Sequence, residues 1–290
     1  MKNKVIILLL AVAFAFQLQL QGVVFAQTVS GPSLAEVKQQ GEGEIALVYV
    51  ETPAFVYKKD GNLTGICIEI MDRFINYMDK MHDVQLSVDY KDGEDFSSYL
   101  NMVENSSGGV FGVANTTITE ERKERFEFSS PYITNIAVLV THLSVPTLES
   151  LSNTKQVFKQ TAYVPKSTTH ERSIKNIKLR YLPDLNIVNT QNSWQALDKV
   201  IENPGTFSYQ DIALFWDYKQ QDKPVKRHPA GDQSSEKFGI IMPKGSEWAT
   251  EFERFFTLGS GFRSTSTYRE ILIKHLGSDV LSMLEMSAQK

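Results

Sequence analysis

The chain has 290 residues, of which 42% are hydrophobic and 22% charged, with a formal net charge of −4. These values sit near the average for soluble globular proteins, which excludes a disordered, collagenous or coiled-coil chain, and the acidic balance leaves no electrostatic footprint for nucleic acid. The single cysteine, Cys67, excludes an intrachain disulfide and a cysteine-based zinc cluster.

Lys2 and Lys4 form a short basic head, residues 5–16 an unbroken apolar run, and Val24-Phe25-Ala26 a site of the kind signal peptidase reads. This is the pattern of a secretory signal peptide cleaved after Ala26. The run is too short for a spanning helix, which needs about 20 apolar residues.

Residues 45–50 are apolar, β-branched and aromatic, and predict a buried strand. Lys59-Asp60-Gly61-Asn62 marks a turn. Apolar residues then recur at helical spacing over 66–81. A strand follows at 84–90, a helix at 96–104, a strand at 109–114, a helix start at Thr119 and a strand at 136–141. The alternation resumes with helices at 148–158, from 167, at 194–201 and 211–218, and with strands at 161–164, 187–189 and 207–210. A strand at 238–242 and helices at 247–256 and 268–275 close the chain. Strands alternating with helices predict an α/β fold with mostly parallel sheets. The segments 136–141 and 238–242 bracket about a hundred residues with their own alternation. That pattern fits one lobe inserted into another, and equally one continuous doubly wound sheet.

Nucleotide loops of the GxxxxGK[ST] and GxGxxG types are missing, as is the GxSxG elbow. Ser152-Asn153-Thr154-Lys155 matches S-x-x-K without its partner motifs. His170-Glu171 opens like a zinc-protease helix, but Ile174 stands where the second histidine belongs. The five histidines are scattered without ligand spacing, so neither a metal nor a cofactor is expected.

One stretch carries chemistry: Asn115-Thr116-Thr117-Ile118-Thr119-Glu120-Glu121-Arg122, then Phe128-Ser129-Ser130-Pro131-Tyr132. A helix N-terminus offers free N–H groups and a dipole that favours an anion, and an arginine adds a planar fork matching a carboxylate. Together they make a carboxylate clamp. The same residues also fit a plain cap at Thr119 with Arg122 on the surface, paired with Glu120 or Glu127.

These motifs resemble the periplasmic solute-binding proteins for polar amino acids, family 3, over residues 44–284. The family pattern is G/S-x-[ST]-I-T-x-x-R followed by F-[ST]-x-P-Y. Further matches are Pro53, Phe55, Tyr57 and Gly65, the helix start Ser167-Thr168-Thr169-His170-Glu171, and the strand end Tyr209-Gln210-Asp211. Three departures stand out: Gly108-Gly109-Val110-Phe111-Gly112 lacks the family's acid, Ser167 replaces a glycine, and the segment from Asn203-Pro204-Gly205 to Tyr209 departs from the usual G-x-x-D-A run.

The resemblance implies a two-lobed type II periplasmic binding protein fold, each lobe a mostly parallel sheet flanked by helices, joined by a two-strand hinge. The implied division is a signal peptide at 1–26, a first lobe at 27–142 and 237–290, and a second lobe at 143–236. It also implies that Arg122 and Thr117 hold an α-carboxylate, with Thr168 and Thr169 completing the site from the second lobe. Asn115 would touch the α-amino group and Asp211 pair with it. Phe55 or Tyr57 would form an aromatic wall, and Glu51 would reach a side chain or ammonium. Core packing remains an alternative for Phe55 and Tyr57, as helix capping does for Asp211. The expected function is then that of a non-enzymatic, monomeric periplasmic protein that delivers an amino acid to the permease of an ABC transporter. The rivals are a ligand-poor sensor or adaptor, and a dehydratase-like enzyme with Glu51 or His170 as acid or base.

Overall fold

A computed structural model describes residues 28–288. The expected signal peptide and its cleavage after Ala26 lie outside these residues. No helix among the described residues is long and apolar enough to cross a membrane.

The first lobe begins with α1 (Leu34–Gln40), whose capping box pairs Ser33 and Glu36. It continues through β1 (Glu42–Tyr49), β2 (Tyr57–Lys59), β3 (Asn62–Thr64) and α2 (Ile66–His82). Ile45 to Tyr49 are all buried, as expected for a strand covered on both faces. β2 and β3 form a small hairpin that delivers the chain to Gly65. Gly65 has φ 127, and a Cβ there would lie 2.3 Å from the Phe55 carbonyl oxygen, so the turn into α2 requires glycine.

Next come β4 (Gln85–Asp92), α3 (Phe96–Glu104), β5 (Val110–Val113), α4 (Glu120–Arg125) and β6 (Phe126–Phe128). Asp95 caps α3 by accepting from the Ser98 N–H at 2.8 Å.

The chain then enters the second lobe with β7 (Ile133–His142). A 3₁₀ turn (Leu151–Asn153) and the one-turn α5 (Thr154–Val157) stand where one longer helix was expected over 148–158. They are followed by β8 (Thr161–Pro165), α6 (Thr169–Arg180), β9 (Asn186–Thr190), α7 (Ser193–Glu202), β10 (Phe207–Asp211), α8 (Ile212–Gln220), β11 (Val225–Arg227) and β12 (Gln233–Phe238). The return through β13 (Ile241–Pro243) leads to α9 (Trp248–Thr257) and α10 (Ser266–Ala288).

Two sheets result. The first has the order β4-β1-β5-β13-β6, with β1 parallel to β4 and β5, and β13 antiparallel to its neighbours. The second has the order β11-β7-β10-β8-β9, with β12 also on β7. The α/β two-lobed expectation is met, with each sheet mixing parallel pairs and antiparallel ones.

The crossing differs from the expected boundaries. All of β7 and β12 belongs to the second sheet, pairing from Ile133↔Phe238. The segment expected as one strand at 238–242 is broken at Gly239 and Ile240 into β12 and β13, one in each sheet. The first crossing therefore falls at residues 129–132 rather than at 142. There the Ser129 N–H donates to the Ile240 carbonyl and the Tyr132 N–H to the Phe238 carbonyl, each at 2.9 Å.

The C-terminal helix α10 touches α2 of the first lobe and β7, β12 and α8 of the second. It kinks at Gly277 (φ 79, ψ 160), and Arg269 pairs with Glu285 across the kink. Ile271, Leu272, Leu276, Val280, Leu281 and Leu284 join a buried cluster that runs from Phe74 of α2 to Ile212 and Phe215 of α8.

Candidate functional site

The cleft between the lobes is built by strand-to-helix junctions from both sides. In the first lobe the chain leaves β5 through Ala114 to Ile118. Its Thr116 hydroxyl lies 2.9 Å from the Tyr99 hydroxyl. The Ile118 N–H donates to the Lys237 carbonyl, and the Gly239 N–H to the Thr116 carbonyl, so this loop is tied to the crossing strand. Thr119 caps α4 by accepting from the Arg122 N–H at 3.2 Å.

Arg122 is 6% exposed. Its guanidinium lies 5.1 Å from the Phe96 ring centroid and donates to the carbonyls of Thr117 (2.9 Å) and Ser167 (3.1 Å). It forms no ion pair among the described residues, so the alternative of a surface arginine paired with Glu120 or Glu127 does not hold. Burial pulls its pKa down to about 10, and it stays charged at neutral pH.

On the second lobe, β8 ends at Pro165 and the chain turns through Ser167, which has φ 65. A left-handed backbone is what glycine adopts freely, so a serine here carries mild backbone strain. The Thr168 hydroxyl caps α6, accepting from the Glu171 N–H at 3.1 Å and donating to the Pro165 carbonyl at 2.8 Å. The Thr169 hydroxyl faces that of Thr117 across the cleft at 3.3 Å.

Three strands gather the other end of the site. Asp211 at the end of β10 stands opposite Ala137 of β7. A register shift between Ser234 and Glu236 in β12 places Glu236 opposite Asn135. The Asn135 amide donates to Asp211 Oδ1 (2.6 Å) and to Glu236 Oε2 (3.1 Å). Asn115 reaches across from the first lobe and donates to the other oxygen of Asp211. His170 Nε2 lies 3.3 Å from Asp211 Oδ1. Burial opposes a charge on His170, but Asp211 and Glu236 outweigh it and raise its pKa above the ordinary value. Asp211 occupies the N-cap position of α8, yet its side chain makes no capping bond.

The enclosed space left between the lobes is small, about 40 Å³, and is lined by Glu51, Thr52, Phe96, Asn115, Thr117, Arg122, Thr168, Thr169, His170, Asp211 and Phe238, among others. With the lobes bridged as here, that space holds a water molecule or two, so a ligand would enter only as the lobes part. The Thr52 hydroxyl is buried on its wall with no hydrogen-bond partner among the described residues.

Residues 45–278 match the sequence model of the bacterial extracellular solute-binding proteins, family 3. The chain belongs to that family. Among curated proteins none matches it in sequence. Similar solved structures share the two-lobed type II periplasmic binding protein fold at low identity. An ancestral arginine-binding protein bound to glutamine is 23% identical, with a TM-score of 0.64 over 81% of this chain and 98% of that one. The arginine-, lysine-, histidine-binding protein ArtJ from Geobacillus stearothermophilus is 19% identical, with a TM-score of 0.62 over 81% and 96%. The ancestral amino acid-binding protein AncCDT-1, described as a precursor of cyclohexadienyl dehydratase, is also 19% identical, with a TM-score of 0.62 over 84% and 98%.

In this family 3 protein, Arg122, Thr117, Asn115, Asp211, Thr168, Thr169 and Glu51 all line one cavity. Glu51 sits at its rim, paired with Lys58 at 2.8 Å. Phe55 does not line it: the ring is 2% exposed and packs behind Phe238 at 5.4 Å between centroids. Tyr57 is also outside it. As the first residue of the β2–β3 hairpin, it turns to α10, where its hydroxyl meets His275 Nδ1 at 2.9 Å. Sequence reasoning missed Thr52 and Phe96 on the cavity wall, and Asn135 with Glu236, which bond to each other, Asn135 also to Asp211, without lining the cavity. Only the register shift in β12 reveals Glu236, and no local motif signals it.

Proposed function

We propose that this chain captures a small amino acid, or an amino-acid-like carboxylate, between its lobes in the periplasm, and delivers it as a monomer to an ABC-type membrane transporter. The observation that carries the reading is Arg122: a buried guanidinium whose hydrogen bonds go to two carbonyls and to no acid. A desolvated cation of this kind gains most from a carboxylate that accepts from both arms of its fork. Asp211 at the far end suits the ammonium of the same ligand, and the free Thr52 hydroxyl suits a further polar group. An amino acid so held would exchange water for charge-assisted bonds at both ends.

The test is a thermal-shift screen of chain stripped of carried-over ligand, against amino acids and small dicarboxylates. A ligand at 100 times its dissociation constant adds about 2.7 kcal/mol. A shift with one chemical class, lost in Arg122→Ala, supports the reading. A folded protein that responds to none of them sinks it.

A ligand-poor sensor is the second reading. It is favoured by the bonds the lobes make to each other, from Asn115 to Asp211 and from Arg122 to Ser167, which occupy the groups a ligand would use. That reading expects no small-molecule shift and a protein partner instead. A dehydratase-like activity would draw on His170 beside Asp211 as acid or base, and turnover of a bound carboxylate separates it from simple capture.

A further inference from the structure

The second-lobe wall of the cleft holds a group of side chains that amino-acid capture does not fully use. His170 opens α6, Asp211 ends β10 and Glu236 lies in β12. They are far apart in the chain, so the scattered histidines gave no hint of a metal site. In space, one potential ligand atom from each lies within 4.8 Å of the other two.

We propose that His170 Nε2 and the carboxylates of Asp211 and Glu236 hold a divalent transition-metal ion of zinc-like ligand demand. Zinc–nitrogen and zinc–oxygen bonds of about 2.0–2.2 Å place tetrahedral ligands roughly 3.3–3.5 Å apart. The His170 Nε2 to Asp211 Oδ1 separation, 3.3 Å, already has that length. The remaining separations are within 4.8 Å and shorten toward the same length when all three atoms reach one ion.

Burial adds to the case. His170 is 6% and Asp211 8% exposed, and Glu236 is half-buried. Two carboxylates beside one imidazole in a poorly solvated wall carry two negative charges, and a protonated His170 offsets only one of them. The group bridging them is the Asn135 amide, which donates to both. A divalent ion replaces that weak dipole with a full counter-charge. Asn135 then either orients the two carboxylates from behind or, with its amide turned over, offers an oxygen of its own.

One nitrogen and two oxygens suit zinc, cobalt or nickel better than calcium, which takes six to eight oxygens. Three protein ligands leave a fourth position for water or another small donor. The site needs neither Arg122 nor an α-carboxylate, but it shares Asp211 with the proposed ammonium position, so the ion and an amino-acid ammonium compete there.

The experiment titrates chelator-stripped protein with Zn²⁺ by calorimetry and with Co²⁺ by visible absorption. One equivalent per chain is expected, with the Co²⁺ bands of a low-coordinate N/O site. Glu236→Gln and His170→Gln each weaken Zn²⁺ binding at least about tenfold. Both are close in shape to the parent side chains, and circular dichroism checks that they fold. Arg122→Ala removes any amino-acid response but keeps, or tightens, Zn²⁺ binding, because it takes a cation away from His170 and Glu236, so the two readings fail separately. The inference is overturned if no saturable one-to-one binding occurs, or if such binding survives both glutamine variants.

Discussion

Arg122 and Glu251 are both charged, both buried and both in the first lobe, yet their surroundings are opposite. Glu251, in α9, is 1% exposed. It meets Lys38 of α1 at 2.9 Å, His82 of α2 at 2.7 Å, the Tyr77 hydroxyl at 3.0 Å and Arg254 at 3.5 Å. Burial alone would raise its pKa, but His82, Lys38 and Tyr77 hold the carboxyl below its usual value. Arg122 has two carbonyls and no acid. A buried charge matched inside the chain fastens elements together. One left unmatched, at a cleft, asks for its partner from outside.

The largest test of that contrast is Glu251→Ala. It strands Lys38 and His82 and should cost about 3–5 kcal/mol in a denaturant melt while leaving ligand affinity intact. An unchanged midpoint would break the comparison on the structural side. Arg122→Ala is the reciprocal variant. Removing one member of a buried charge pair costs about 2 kcal/mol or more, so affinity should fall at least about thirtyfold by calorimetry. The ligand-free protein should lose less than Glu251→Ala does, about 1–3 kcal/mol, because two hydrogen bonds and the Phe96 contact go but no ion pair is broken.

His228 sharpens the comparison as a third case, a buried titratable group kept neutral. It accepts from the Leu148 N–H at Nδ1 (2.9 Å), and Nε2 lies 2.7 Å from the Thr141 hydroxyl. Burial, helped by Lys226, pushes its pKa down to about 4 from an ordinary 6.5. Below pH 6.5 the unfolded chain takes up this proton before the folded one does. The His228 contribution is thus whole above pH 6.5 and is lost as pH falls toward 4. His228→Gln should flatten that part of a plot of stability against pH. The smallest effect is expected at Ser167, whose carbonyl accepts from Arg122. Ser167→Gly relieves the φ of 65 and should raise the melting point by the equivalent of about 1 kcal/mol or less.

The sequence made the alternating elements legible because buried strands and amphipathic helices leave periodic marks, as 45–50 and 66–81 do. It also marked Arg122, because Thr119 and the acids after it spell a helix start. Asn135 and Glu236 left no such mark. Their meeting depends on a register shift between strands about a hundred residues apart, which no local pattern encodes. Tyr57 misled for the opposite reason. Its spacing from Pro53 fits a cleft wall, but the β2–β3 hairpin turns it toward a helix from the other end of the chain. The helix expected over 148–158 shrank where the Ser150 side chain caps a 3₁₀ turn and only a one-turn helix follows.

The contacts of α10 with both lobes bear on how the molecule comes apart. Its apolar residues lie in one buried cluster with side chains from α2 and α8. Neither lobe can lose its packing without exposing surface that belongs to the other. Heat should therefore unfold the two lobes together, as a single calorimetric transition whose van't Hoff and measured enthalpies agree. Trimming the chain at Gly277 should split that peak into two.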